Sequence, residues 1–412
     1  MYRKLLNSYH LFFAFAGAVW YGRPGRKLVV VGVTGTKGKS TVLELIRAML
    51  LADHRRPALL STVHRIIADE TGANPYGNTM PGRGRLQHFL RDAAAAGATH
   101  ALIEVSSEGI RQHRHRFIDW DVAVFNNLSP EHVESHGSFE AYRGAKLDFF
   151  RSLASSAKRV RRFAVNADDA NVRHFEDVAR SVPGHAVTRF SPADLSAAVR
   201  SAAEANVWLA APFNMQNVAA AAAVAEALGA PEAAIVAALQ SFRGLAGRFE
   251  RVQTEPFQVI VDYAHTPDSF LAIYGAVRSL LAPGTRLIGV FGSAAGGRDA
   301  WKRPVMGKIA AEACDVVVLT NEDPFDEVPE RILDAIARGF LDASPRRLRE
   351  DQTFRILDRR MAIRKAFHLA RPGDAVVLTG KGSETVIRIA NGETVPWNER
   401  QVAEEELAAM KK

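Results

Sequence analysis

The sequence predicts an α/β protein with mostly parallel sheets, and three observations carry that expectation. Short apolar runs alternate with helical patterns along almost the whole of the 412 residues. Helical segments rich in alanine, such as 217–228, fall between those runs with ordinary packing periodicity. A glycine-rich stretch, VTGTKGKST (Val33 to Thr41), stands between the first strong apolar run and a helical pattern.

The strand-like runs are expected at 28–33, 101–105, 122–125 and 163–166, and then at 259–262, 286–291, 316–320 and 375–379. A composition break at SFRGLAG, Ser241 to Gly247, follows a complete helical pattern and precedes a new strand series. The expected division is an N-terminal helical segment over 1–26, a first domain over 27–245 and a second over 246–412. That length suits two or three domains, and no tandem repeat is visible.

Composition narrows the class. At 47% hydrophobic and 24% charged residues the chain is globular rather than disordered. Its single cysteine, Cys314, excludes an internal disulfide framework and a cysteine-based zinc site, and fits the reducing cytoplasm. The net charge of +8 raises nucleic acid as a partner. The densest basic runs, KRVRR from Lys158 and RRLR from Arg346, are short, far apart and free of aromatics. They predict solvated faces and anionic small substrates, not nucleic acid.

The opening MYRKLLNSYHLFFAFAGAVWYG places basic residues before an apolar run shorter than the ~20 residues a membrane span needs. Ala14, Phe15 and Ala16 offer a cleavage-like site, but a phosphate-binding strand starts soon afterwards. An amphipathic docking helix is the expectation, with a peripheral membrane contact as the alternative.

A glycine-rich turn between strand and helix lets backbone N–H groups converge on phosphate oxygens, with the helix N-terminus adding a favourable dipole. Thr36, Gly38, Lys39, Ser40 and Thr41 would form this P-loop, Lys39 reaching the terminal phosphates and Ser40 ligating Mg²⁺. The generic motif has glycine five residues before the Gly-Lys pair; here that position is Val33 and the glycine is Gly35.

The TGTxGK[ST] variant resembles that of the Mur ligases, ATP-dependent amide-forming enzymes of peptidoglycan synthesis, and further motifs follow in the family's order. EVSS from Glu104 resembles a segment whose glutamate helps hold Mg²⁺. FNNLSPEHVESHG (Phe125 to Gly137) implies His132 on the metal, and EAYRGAKLDFF (Glu140 to Phe150) implies a carbamylated Lys146. FNMQN implies adenine contact by Asn217. GRFE and DYAHTPDS imply nucleotide contacts by Arg248, Asp262 and His265. GSAAGGRDAWKRPVMG and GKGSE complete a resemblance covering roughly 27–400, closest to the tripeptide-synthetase type. The fold so implied is a P-loop central domain with mostly parallel sheet and a smaller Rossmann-like C-terminal domain.

By the resemblance, Lys39, His132, Lys146 and Arg248 are the catalytic group, and Ser40, Glu104, His132 and Lys146 the metal group. Thr79, Ser106, Arg303, Glu322, Asp323, Gly380 and Glu384 bind substrate. ATP and Mg²⁺ are the cofactors, an amino acid and an anionic peptide the substrates, and the protein is a cytoplasmic monomer. ATP would convert a carboxylate to an acyl phosphate, which an amine then attacks.

The sequence also departs from the family. Only residues 1–26 precede the nucleotide strand, where the family type has a domain that grips UDP. Where diaminopimelate-adding enzymes read DNPR, this chain reads EDPF, Glu322 to Phe325, so phenylalanine replaces the carboxylate-clamping arginine. Ser383 and Glu108 stand where histidines are usual. Three classes stay open: a muramyl-peptide ligase, a ligase on another acceptor such as a poly-amino-acid or pterin-glutamate, and a non-catalytic nucleotide-binding module.

Overall fold

The computed structural model describes residues 2–76, 78–129, 136–209, 211–296 and 300–410, with side chains from Asn7 onward. The chain divides into two compact units, 1–243 and 244–412.

The first unit is built on one eight-stranded sheet. Its strands are β1 (Val29–Thr34), β2 (Pro57–Leu60), β3 (His64–Ile67), β4 (Glu70–Ala73), β5 (His100–Glu104), β6 (Val122–Phe125), β7 (Arg161–Asn166) and β8 (His185–Phe190). The order is β4-β3-β2-β5-β1-β6-β7-β8. Six of the strands run parallel, and β3 and β4 extend one edge as an antiparallel meander. With β1 flanked by β5 and β6, the carboxyl ends of three adjacent strands open at the crossover point where such sheets bind ligands.

The sequence explains this packing. Val30, Val31 and Val33 of β1 are fully buried, each stabilising by about 1.5–3 kcal/mol relative to exposure. On one face lie helix α2 (Lys39–Ala52) and the helix Pro212–Ala227. The second begins five residues ahead of the expected 217, because proline suits the first helical turn. On the other face, Gly32 leaves room for Phe149: a Cβ there would lie 2.4 Å from its ring. That close approach seats the helix Phe139–Ser152 against β1, and the same helix carries Lys146.

Helix α1 (Tyr2–Trp20) packs through Gly17 against Gly84, where a Cβ would lie 2.7 Å from the Gly84 Cα. Among the described residues no helix is long and apolar enough to cross a membrane.

The second unit holds a six-stranded sheet of β9 (Glu250–Gln253), β10 (Gln258–Asp262), β11 (Leu287–Phe291), β12 (Val316–Leu319), β13 (Thr353–Arg355) and β14 (Ala375–Thr379). Its order is β13-β12-β11-β14-β10-β9, parallel except for β9. A separate hairpin pairs β15 (Val386–Arg388) with β16 (Thr394–Pro396). Helix Arg359–Leu369 is locked to the chain end by a fully buried ion pair, Arg359 Nε to Glu399 Oε2 at 2.9 Å.

Candidate active site

In the first unit, the loop after β1 is held by amides from two other elements. The Thr36 and Lys37 amides donate to Asn127 Oδ1 at 3.1 and 2.8 Å. Asn126 Nδ2 donates to the Lys37 carbonyl and to Asn217 Oδ1, both at 3.0 Å. Gly38 has φ 78°, and a Cβ there would lie 2.1 Å from Asn217 Oδ1, so only glycine fits. Asn217 therefore buttresses the loop from the helix Pro212–Ala227. Thr41 is buried in the first turn of α2.

Two lysines meet at this loop. Lys39 Nζ donates to the Gly35 and Thr36 carbonyls at 3.1 and 3.0 Å. Lys146 Nζ, 1% exposed, donates to the same Gly35 carbonyl at 2.8 Å and lies 4.6 Å from the Tyr142 ring centre. Tyr142 Oη in turn lies 3.2 Å from Thr36 Oγ1.

Glu104, at the end of β5, gathers the hydroxyl side of the site. Ser40 Oγ donates to Oε2 at 2.6 Å, the Thr62 amide to Oε2 at 2.8 Å, and Thr62 Oγ1 to Oε1 at 3.0 Å. Lys39 Nζ lies 4.0 Å away, and Thr79 is joined through Thr62 at 2.8 Å. Ser106 caps the short helix Ser107–Arg111 by accepting from the Gly109 amide. His132 lies outside the described residues; His136, farther along the same motif, is 3.1 Å from Ser107 Oγ. A carboxylate and a hydroxyl in contact form the hard-oxygen set that Mg²⁺ prefers, so these residues fit that ion.

In the second unit, three loops converge. Asp262 accepts from the Phe249 and Ala264 amides, each at 2.7 Å, and so fixes the backbone after Arg248. Arg248 stacks 4.3 Å over the Tyr263 ring, and His265 Nδ1 lies 2.8 Å from the Tyr263 carbonyl. Gly247 (φ 66°) leaves no room for a Cβ, which would sit 2.2 Å from the Ser383 amide nitrogen.

Beside them is an ionic cluster. Fully buried Lys381 donates to Asp323 Oδ1 at 2.8 Å and to Glu384 Oε2 at 2.6 Å. Arg388 donates to Asp323 Oδ2 at 3.0 Å and lies 3.7 Å from Glu384. Glu322 is buried with Oε2 lacking a hydrogen-bond partner among the described residues, and it fills the space over Gly380. Burial pushes its carboxyl up to about 7, against the pull of Lys302, Arg359 and Lys381. Arg303 points elsewhere, bidentate to Glu327 at 2.6 and 2.8 Å.

Two family models match the chain, the Mur ligase middle domain over 33–225 and the Mur ligase glutamate ligase domain over 247–382. The UDP-N-acetylmuramyl-tripeptide synthetase of a Roseiflexus species is 39% identical over 95% of this chain and 81% of its own length. The chain belongs to the Mur ligase family. A UDP-N-acetylmuramoyl-L-alanyl-D-glutamate–2,6-diaminopimelate ligase of Halalkalibacterium halodurans is 34% identical over 94% of this chain and 80% of its own. A solved structure of a ligase of that same description is 30% identical, with TM-score 0.60, over 93% of this chain and 79% of its own.

As a Mur ligase the protein is an ATP-dependent ligase of α/β fold. Motif reading missed Thr62, Asn126, Asn127 and Tyr142 at the loop, and Lys381 and Arg388 in the cluster. The asparagines and Lys381 lie inside quoted motifs, where neighbours drew the attention. Thr62 and Arg388 carry no local signal, since sheet order alone brings them in.

Proposed function

We propose that this Mur ligase adds an amino acid to a muramyl-peptide acceptor in peptidoglycan synthesis, at the expense of ATP. The observation that carries the reading is the meeting of Lys39 and Lys146 on the Gly35 carbonyl, beside the Glu104–Ser40 contact. The Lys39 ammonium and the loop amides so placed suit phosphate oxygens, while Lys146, once carbamylated, would be an anion beside them for a second Mg²⁺; phosphoryl transfer needs alignment and charge neutralisation above all.

An acceptor carboxylate attacks the γ-phosphorus, ADP leaves, and an acyl phosphate forms. The incoming amine attacks the acyl carbon; phosphate leaves and the amine loses its proton. Lys39 balances charge on the transferred group, while Asn126, Asn127 and Asn217 keep the loop amides in place. Ser40 and Glu104, with His132, would hold Mg²⁺, which supplies further charge neutralisation. Lys146 is assigned a carbamate that would hold a second Mg²⁺, a reading supported by its place on the Gly35 carbonyl beside the loop. Arg248, Asp262 and His265 serve the nucleotide, and Thr79 and Ser106 the acceptor.

The domains are taken as 1–26, 27–245 and 246–412, and the protein as a cytoplasmic monomer whose N-terminal segment is an amphipathic docking helix, a peripheral membrane contact being its alternative role. Asp323, Gly380 and Glu384 receive the amino acid, together with Glu322. With Phe325 in place of the clamping arginine and Glu322 within the cluster, the pocket suits a cationic or uncharged end such as lysine or ornithine.

ADP release over a panel of amino acids and UDP-muramyl peptides tests this. Turnover that requires a muramyl dipeptide supports it; turnover only with poly-amino-acid or pterin-glutamate acceptors, or none at all, overturns it. For the carbamate, Lys146→Ala should lose activity and recover part of it with short carboxylic acids. No recovery argues that the free amine acts.

A further inference from the structure

Helix α1 is apolar both toward the first unit and away from it. Gly17 and Ala18 are buried against the first unit, Tyr21 just beyond stacks on His88, and Phe15, at the edge of the buried side, meets the Phe117 ring edge-on at 5.4 Å while staying 47% exposed. Turning outward at helical spacing are Leu11, Phe12, Phe15, Val19 and Trp20, with Tyr9 at the margin. Phe12 is 62% and Trp20 83% exposed. A contiguous outward stripe of this kind marks an interaction surface.

Charge indicates what covers it. Residues 1–27 contain five Lys and Arg and no Asp or Glu. Where Leu11 meets the body of the unit, a cavity of about 440 Å³ is lined by Arg23, His113, Arg116, Phe117 and Ile118. The carboxylate in that wall, Asp119, already accepts from Arg26 at 3.2 Å and the Ala157 amide at 2.8 Å. Burial first, then the charges of Arg116 and His10, hold His113 below the usual imidazole range, with Asp148 pulling the other way. A second copy of this face would bring like charges together, whereas an anionic bilayer would not.

We propose that α1 lies in the plane of an anionic lipid bilayer, its Phe12, Phe15, Val19 and Trp20 entering the headgroup–acyl boundary while Arg23 and Arg116 meet lipid phosphates. Aromatic and aliphatic side chains on one helix face, with cations beside them, bind membranes in this way without spanning them. This gives the peripheral contact a definite face and lipid chemistry, and binding is measured without turnover, so it stands apart from the ligase reading.

The test is flotation of the full chain with phosphatidylcholine vesicles, with and without phosphatidylglycerol. The protein should float with the mixed vesicles, weakly with the neutral ones, and less as salt rises. Phe12→Glu with Trp20→Glu should abolish flotation, and both positions are exposed enough to leave the melting temperature unchanged. Arg23→Ala and Arg116→Ala should each lower partitioning about fivefold. Failure to float with mixed vesicles, or flotation unaffected by the Phe12 and Trp20 changes, overturns the proposal. A dimer in light scattering that those two changes dissolve would assign the face to a second copy instead.

Discussion

Around Glu104 in the first unit, one carboxylate gathers a serine hydroxyl, a threonine and a lysine. Around Asp323 in the second, two carboxylates share Lys381 and Arg388 while Glu322 stands buried beside them. If the first arrangement takes the nucleotide, as proposed, it meets an anion with little choice of shape, since every nucleoside triphosphate offers the same oxygens. If the second takes the amino acid, one changed side chain in its ionic mesh would alter which one fits. A family could then keep the loop and vary the pocket, and Phe325, where the resemblance expects arginine, would be such a change.

The largest expected effect breaks the first arrangement. Lys39→Ala removes the ammonium nearest Glu104 and should reduce ATP turnover by roughly 10²–10³-fold, the scale of losing one preorganised charge-stabilising donor. A melting curve run beside the assay separates lost chemistry from lost fold, since Lys39 also contacts two loop carbonyls and lies 4.0 Å from Glu104. Single-turnover ADP release measures this, and undiminished turnover would remove the loop from the chemistry.

The next sharpens the second arrangement. Phe325→Arg should shift preference toward diaminopimelate by roughly tenfold or more, as a charge-assisted bidentate hydrogen bond provides. Competition between lysine and diaminopimelate reads it. If the wild type already prefers diaminopimelate, the carboxylate partner is Arg388, 39% exposed on its side chain, and the clamp has been rebuilt from β15.

The smallest concerns pH. Glu322 has a folded-state value raised to about 7, above its ordinary 4.5. The folded state therefore keeps a proton that the unfolded state releases, and stability is full below 4.5 and lost as pH rises through 7. Glu322→Gln should remove that dependence, so its melting temperature should gain on the wild type by about 5 °C across the interval. A constant difference between the two would show that Glu322 is already ionised in the folded state.

Much of the first unit was legible in sequence. The residues of VTGTKGKST are consecutive, and a strand followed by a helix is enough to turn their amides one way. The strands fell within a residue or two of their expected places, the apolar runs being the parts buried on both faces. Short polar-faced strands such as β4, exposed along its whole length, gave no such signal.

Sequence by itself determined the α/β class, the glycine-rich loop between strand and helix, and the order of the family motifs, because each depends on neighbours in the chain. Tertiary structure alone decided that Asn217 presses on Gly38 across 91 residues from Asn126, that Thr62 reaches Glu104, and that Arg388 and Lys381 flank Asp323 from 65 and 58 residues away. It also decided that Arg303 turns to Glu327 and away from the ionic cluster. Those contacts follow from strand order, β5-β1-β6 in one sheet and β12-β11-β14 in the other, and from where the β15–β16 hairpin folds back. A linear pattern reports which residues form a strand; which strands lie side by side is settled only when the whole core packs.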